Sequence, residues 1–225
     1  MRHALIIGAG AGLSASLARK LSAAGWQVAL AARNTEKLGP LAAETGASLH
    51  ACDSADADAV AALFAALDAA GAAPALVIYN PSFRTRGPLV ELDPALVRRS
   101  LEVCAFGAFL VAQQAARRML AAGAGHIFLT GASAGVKGFA QSAPFAMGKF
   151  ALRGLAESMA RELHPQNIHI CHFVIDGGIA SATRVPAGDN LLDPDAIADS
   201  YLHVLAQPRS SWSSEVAVRP WVEKF

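Results

Sequence analysis

Short apolar runs alternate with stretches of helical periodicity from one end of the chain to the other, and nothing else in the sequence restricts the fold as strongly. "HALIIG", "QVALAAR", "ASLHACD", "PALVIYN", "HIFLTGAS" and "IHICHFVID" have the length and composition of strands, and "SSEVAVRP" of a short last one. Helical spacing fills residues 13–24, 35–45 and 56–70, one long segment over 93–123, a second over 144–164 and a shorter one over 193–207. Asp93-Pro94 and Asp193-Pro194 each supply an N-cap followed by proline at the first helical position, and Gly25 stops the first helix. Such alternation predicts an α/β fold: a Rossmann-type, doubly wound parallel sheet of about seven strands with helices on both faces. At 53% apolar and 16% charged residues, the chain can fill a large core. No linker, repeat or low-complexity tract divides it, so residues 1–225 are expected to form one domain, with residues 179–194 as a loop.

In a sheet of this kind ligands bind beyond the carboxyl ends of the strands, where the strand order reverses. The glycine turn, Arg33, Asp53, Asn80, Thr130 and Asp176 all fall at predicted strand ends. The turn reads "GAGAGLS" over residues 8–14. In the common GxGxxG spacing Leu13 would stand at the third glycine, and the register Gly10-x-Gly12-x-x-Ala15 starts two residues late. A third register, Gly8-xxx-Gly12-x-Ser14, fits with serine as its last member. Glycines let the backbone turn tightly and approach a pyrophosphate, which the free N–H groups of the following helix can bind.

That third register, followed in order by "AARN", "CD", "YN", "TGASAG", Lys149 and "IDGGIAS", resembles the short-chain dehydrogenase/reductase family over nearly the whole chain. The resemblance implies a nicotinamide dinucleotide. It implies contacts from Gly8, Gly12, Leu13 and Ser14 at the turn, and from Asp53 (otherwise a helix N-cap), Asn80, Lys149, Ile179 and Ser181. The second strand ends in Arg33-Asn34 with no acid. A carboxylate there would repel a 2′-phosphate, whereas a guanidinium pairs with one, so NADP is expected in preference to NAD. Asn80-Pro81-Ser82 and Asp176-Gly177 depart from the family's Asn-Ala-Gly and Pro-Gly stretches.

The family's chemistry rests on a Ser, a Tyr, a Lys and often an Asn. By resemblance Lys149 keeps its place, but Phe145 stands four residues before it, Ala132 at the serine position and Cys104 at the asparagine position. The chain therefore resembles an atypical member lacking the catalytic Ser and Tyr. Ser133 could serve through a one-residue slip. Ser142, seven residues before Lys149, corresponds to the enoyl-reductase arrangement. His172, Tyr79 or water are further proton donors to consider, with His172 expected as a strand histidine satisfied by backbone. The expectation is an NADP(H)-binding oxidoreductase with a non-standard site, acting on a small carbonyl or enone. The alternatives are a cofactor-binding pseudoenzyme serving as a sensor or partner protein, or an enoyl reductase-like activity. Arg84 and Arg86 are expected on a solvated loop, although they could attract an acidic substrate.

A net charge of +1 gives no electrostatic case for nucleic acid or an anionic membrane, and no apolar run reaches the roughly 18 residues of a membrane span. The beginning of the chain does not read as a signal peptide. Cys52, Cys104 and Cys171 lack metal or disulfide spacing and read as buried thiols. A cytoplasmic protein without a metal follows. By resemblance it assembles through its two long helices as a homodimer or homotetramer, with the tail "RPWVEKF" on a neighbouring subunit.

Overall fold

The structure, a computed structural model, describes residues 2–223; Met1 and the last two residues of the aromatic tail, Lys224 and Phe225, lie outside the described residues. Its strands are β1 (Arg2–Ile7), β2 (Trp26–Ala32), β3 (Ser48–Ala51), β4 (Leu76–Tyr79), β5 (Gly125–Thr130), β6 (Ile168–Ile175) and β7 (Glu215–Val218). They form one sheet in the order β3-β2-β1-β4-β5-β6-β7, every pair parallel. The strands read as unbroken apolar runs because helices cover both faces: all residues of β4 and β6 are buried.

The helices are α1 (Leu13–Ala23), α2 (Gly39–Thr45), α3 (Ala57–Ala69), α4 (Pro94–Leu101), α5 (Gly107–Ala122), α6 (Ala143–Leu163) and α7 (Pro194–Leu205). α3, α5 and α6 pack on one face of the sheet, around Phe64, Val111 and Leu152. The other face takes α1, α2 and α7, around Leu17, Leu41 and Tyr201. Among the described residues no helix is long and apolar enough to cross a membrane. The three cysteines are buried free thiols.

Two predicted helices differ in detail. Residues 35–45 divide into a 3₁₀ turn, Glu36–Leu38, and α2. Pro40 has no N–H for an α-helical ladder running through it, so the helix restarts there. The long segment 93–123 is continuous but contains a π-helical stretch, Glu102–Phe106, between α4 and α5. Tyr79 donates its hydroxyl to the Val103 carbonyl at 2.5 Å within this stretch. A Cβ on Gly107 would lie 2.5 Å from that hydroxyl and 2.6 Å from the Ser54 carbonyl. The wider turn and the glycine together let the helix lie against the end of β4. The N-cap of α3 is Asp56, which accepts from the N–H groups of Asp58 and Ala59; Asp53 is left for the crevice.

At the amino-terminal edge of β5 and β6, His126, His164, His169 and Trp212 form an aromatic cluster, with His169 stacked on Trp212 at 4.5 Å. Burial pushes the His126 pKa down to about 4 and lowers those of His169 and His172. Between the ordinary histidine value of 6.5 and these folded values, the unfolded chain binds protons that the folded chain refuses. Stability therefore falls as pH drops through that window. The urea midpoint is expected to be lower at pH 5 than at pH 7, and His126→Phe to reduce the difference. A midpoint independent of pH over that range would contradict the assignment.

Candidate active site

Strand order reverses between β1 and β4, and the crevice opens at their carboxyl ends. Gly8 has φ +78°, and a Cβ there would lie 2.6 Å from the Pro81 nitrogen, so only glycine fits where the two strand ends pass. Its N–H and that of Ala9 both donate to the Ala31 carbonyl. Asn80 Nδ2 donates to the Ser14 hydroxyl at 2.7 Å, which in turn donates to the Gly8 carbonyl at 3.1 Å. Ser14 is buried, and this chain of bonds ties the turn to β4 rather than aiming the hydroxyl outward. Leu13 packs its side chain into the core at the start of α1. No side chain caps α1 and no acid stands in its first turn, while Gly10 and Gly12 face open space. The turn thus has what a nucleotide diphosphate needs: N–H donors and room for close approach.

On one side of the turn lies a groove of about 630 Å³ lined by Arg33, Asp53, Asn80 and Arg99. Burial raises the Asp53 pKa, but the Ala55 N–H and the Arg99 guanidinium, at 2.7 Å, hold the carboxyl below its usual range. Arg33 is exposed on the groove, and among the described residues it makes no ion pair.

On the other side is a cavity of about 520 Å³ that shares Asn80 with the groove and includes Ala132, Ser133, Phe145 and Lys149. Lys149 donates to the Thr130 carbonyl at 2.8 Å, and burial lowers its pKa. Its Nζ lies 5.7 Å from the Phe145 ring centre. The Ser133 side chain is part of the lining, whereas Ser142 is fully buried outside it, its hydroxyl unpartnered among the described residues. Cys104 is buried against Gly148, where a Cβ would come within 2.7 Å of the cysteine Cβ. Ile179 lines the cavity. Ser181 is exposed, and its hydroxyl faces Thr183 at 3.3 Å within the loop.

Two side chains differ from expectation. Tyr79 supports the π-helical stretch from a buried position and reaches no cavity. His172 is met by a carboxylate rather than by backbone: its Nδ1 lies 2.9 Å from Glu215, which also accepts from Arg153. Its Nε2 packs against Gly131, which leaves no space for a Cβ. Arg84 and Arg86 lie exposed on an irregular loop, as expected, and that loop also borders the cavity, with Arg84 5.2 Å from the Phe145 ring centre. The 83–87 segment has no periodicity, and its place after a strand end was the signal that pointed to the site. Asp176 explains its departure from proline: its N–H donates to the Val218 carbonyl and extends the pairing of β6 with β7.

A family model described as short chain dehydrogenase matches residues 2–190. A short-chain dehydrogenase from Rhodopseudomonas palustris superposes with a TM-score of 0.87 at 36% identity, covering 98% of this chain and 99% of that one. A metagenomic short-chain oxidoreductase in complex with NADP gives a TM-score of 0.86 at 31% identity, covering 98% of each chain. The 3-oxoacyl-[acyl-carrier-protein] reductase MabA of Mycobacterium tuberculosis is 28% identical over 167 residues, 74% of this chain. That match spans only 65% of the mycobacterial protein.

The glycines of the turn should separate in their effects. Gly8→Ala meets both the positive φ and the Pro81 backbone and is expected to cost about 2 kcal/mol or more in urea denaturation. Gly12→Ala, facing open space, is expected to leave the midpoint nearly unchanged.

Proposed function

Since the chain belongs to the short chain dehydrogenase family, whose members use nicotinamide cofactors, we propose that it is an NADP(H)-dependent oxidoreductase with a non-standard proton-transfer site. The observation that carries this reading is Lys149, buried at the wall of a cavity that shares Asn80 with the groove at the glycine turn. The nicotinamide would supply or accept the hydride. Gly8, Gly12, Leu13 and Ser14 form the turn for its diphosphate. Arg33 would pair with a 2′-phosphate, and Asp53, Asn80, Ile179 and Ser181 would complete the cofactor site. One Lys149 proton is committed to Thr130, which leaves two for ribose hydroxyls.

Phe145 takes the place of the family's tyrosine and Ala132 that of its serine. A phenyl ring packs like a phenol but gives no proton. Ser133 and Lys149 are then the protic side chains beside a bound carbonyl. Burial lowers the Lys149 pKa and so makes its ammonium a stronger acid than an ordinary lysine. Ser142 would act only if the segment before α6 moved. A cofactor-binding protein without turnover is the second reading, and Phe145 with Ala132 favours it.

Exposed Phe106, Phe109, Met147 and Phe150 on the long helical segments support a homodimer or homotetramer, and the free thiols support a cytoplasmic setting.

Fluorescence titration is expected to give tighter binding of NADPH than NADH, with Arg33→Ala reducing the ratio about tenfold. NADPH oxidation is expected with some member of a panel of carbonyls and enones, slowly for ketones. Phe145→Tyr with Ala132→Ser should raise ketone reduction by about 10²-fold or more. Turnover by the double variant alone would favour the second reading, and failure to bind either dinucleotide would overturn both.

A further inference from the structure

The cavity that holds Lys149 carries a concentration of positive charge that hydride transfer does not itself require. Arg84, Arg86 and Arg184 line it, against one acidic side chain, Glu223. The chain as a whole is nearly neutral at +1, so this clustering is local. Among the described residues none of the three cavity arginines makes an ion pair. Partial burial, and to a lesser degree the nearby charges of Arg86 and Arg184, lower the Arg84 pKa from its ordinary value.

The segment bearing Arg84 and Arg86 is anchored at both ends. The Phe83 carbonyl accepts from the Ser100 hydroxyl at 3.1 Å, and the Gly87 N–H donates to the Gln141 carbonyl at 3.1 Å. Arg184 sits differently: its Nη1 lies 2.9 Å from where a Gly178 Cβ would stand, on the loop read above as cofactor-binding.

We propose that the substrate carries a carboxylate, bound by the guanidinium groups of Arg84 and Arg86 while its reducible group faces Lys149. A guanidinium offers paired N–H donors that match a carboxylate, and an anion here relieves the repulsion between the arginines. The Arg84 and Lys149 cations both lie over Phe145, at 5.2 and 5.7 Å from its centre, so about 11 Å is the most that separates them. One small molecule spans that distance.

The proposal rests on the oxidoreductase reading for the role of the anion but not for its binding, so the two are measured apart. The probes are 4-acetylbenzoate and its methyl ester, titrated by calorimetry with and without NADPH. The acid is expected to bind at least tenfold more tightly than the ester, and added potassium chloride to weaken the acid alone. Arg84→Gln with Arg86→Gln should bring the two within about twofold, leaving the melting temperature and NADPH affinity unchanged. Equal binding of acid and ester by the natural chain overturns the proposal, as does a preference that survives in the double variant. So does a loss that falls on NADPH instead of the acid, which would assign the arginines to the cofactor. A preference for the acid without any NADPH binding upholds the anion site and rejects the oxidoreductase reading.

Discussion

The approach of the β1 end to the β4 end at Gly8 and Pro81 is the contact on which the site depends. Parallel strands whose connections run to opposite sides leave a crevice between them, and its shape is set by how closely their ends can pass. Here the passage is tight enough to exclude a Cβ. The Asn80–Ser14–Gly8 hydrogen bonds then fix the turn to its neighbour. Pro81 and Ser14, two of the residues that depart from the family pattern, are therefore part of one local solution. Serine fills the space a third glycine would leave and uses its hydroxyl to close the turn, while Asn80 supplies the donor from across the crevice. The same closure leaves the α1 amino terminus uncapped and open.

The parallel sheet of about seven strands and its helices on both faces were legible because burial on both faces forces unbroken apolar runs, and amphipathic helices must cover them. The capping aspartates before α4 and α7 were legible for a local reason: an Asx side chain followed by proline satisfies the first orphan N–H groups wherever it occurs. The π-helical stretch was not legible. It arises from a buried tyrosine reaching across from β4, and no periodicity in residues 93–123 records where the partner stands. His172 is similar. A strand histidine announces burial, but the Glu215 carboxylate that meets it comes from β7, 43 residues later.

The candidate site divides along the same line. Residues fixed by the backbone turn or by helical spacing to Lys149 could be located from sequence, since four residues on a helix bring Phe145 and Lys149 to one face. For Arg84 and Arg86 the sequence pointed only to a strand end, and their approach to Phe145 needed the tertiary fold. Their segment has no regular structure, and its anchors, Ser100 and Gln141, are remote in sequence.

Phe145 joins the two halves of the site. Cations stand over its ring from Arg84 and Lys149. A phenol between two such charges would be driven toward ionisation, the state a proton relay exploits. A phenyl ring in the same place keeps the attraction of its face for both cations and offers no proton to move. Its apolar edge also leaves the guanidinium without the oxygen acceptor that a tyrosine would present. Removing one hydroxyl therefore has two coupled consequences. In the proposed reaction proton delivery would fall to Lys149 or Ser133, and Arg84 would keep its donors for the proposed anion.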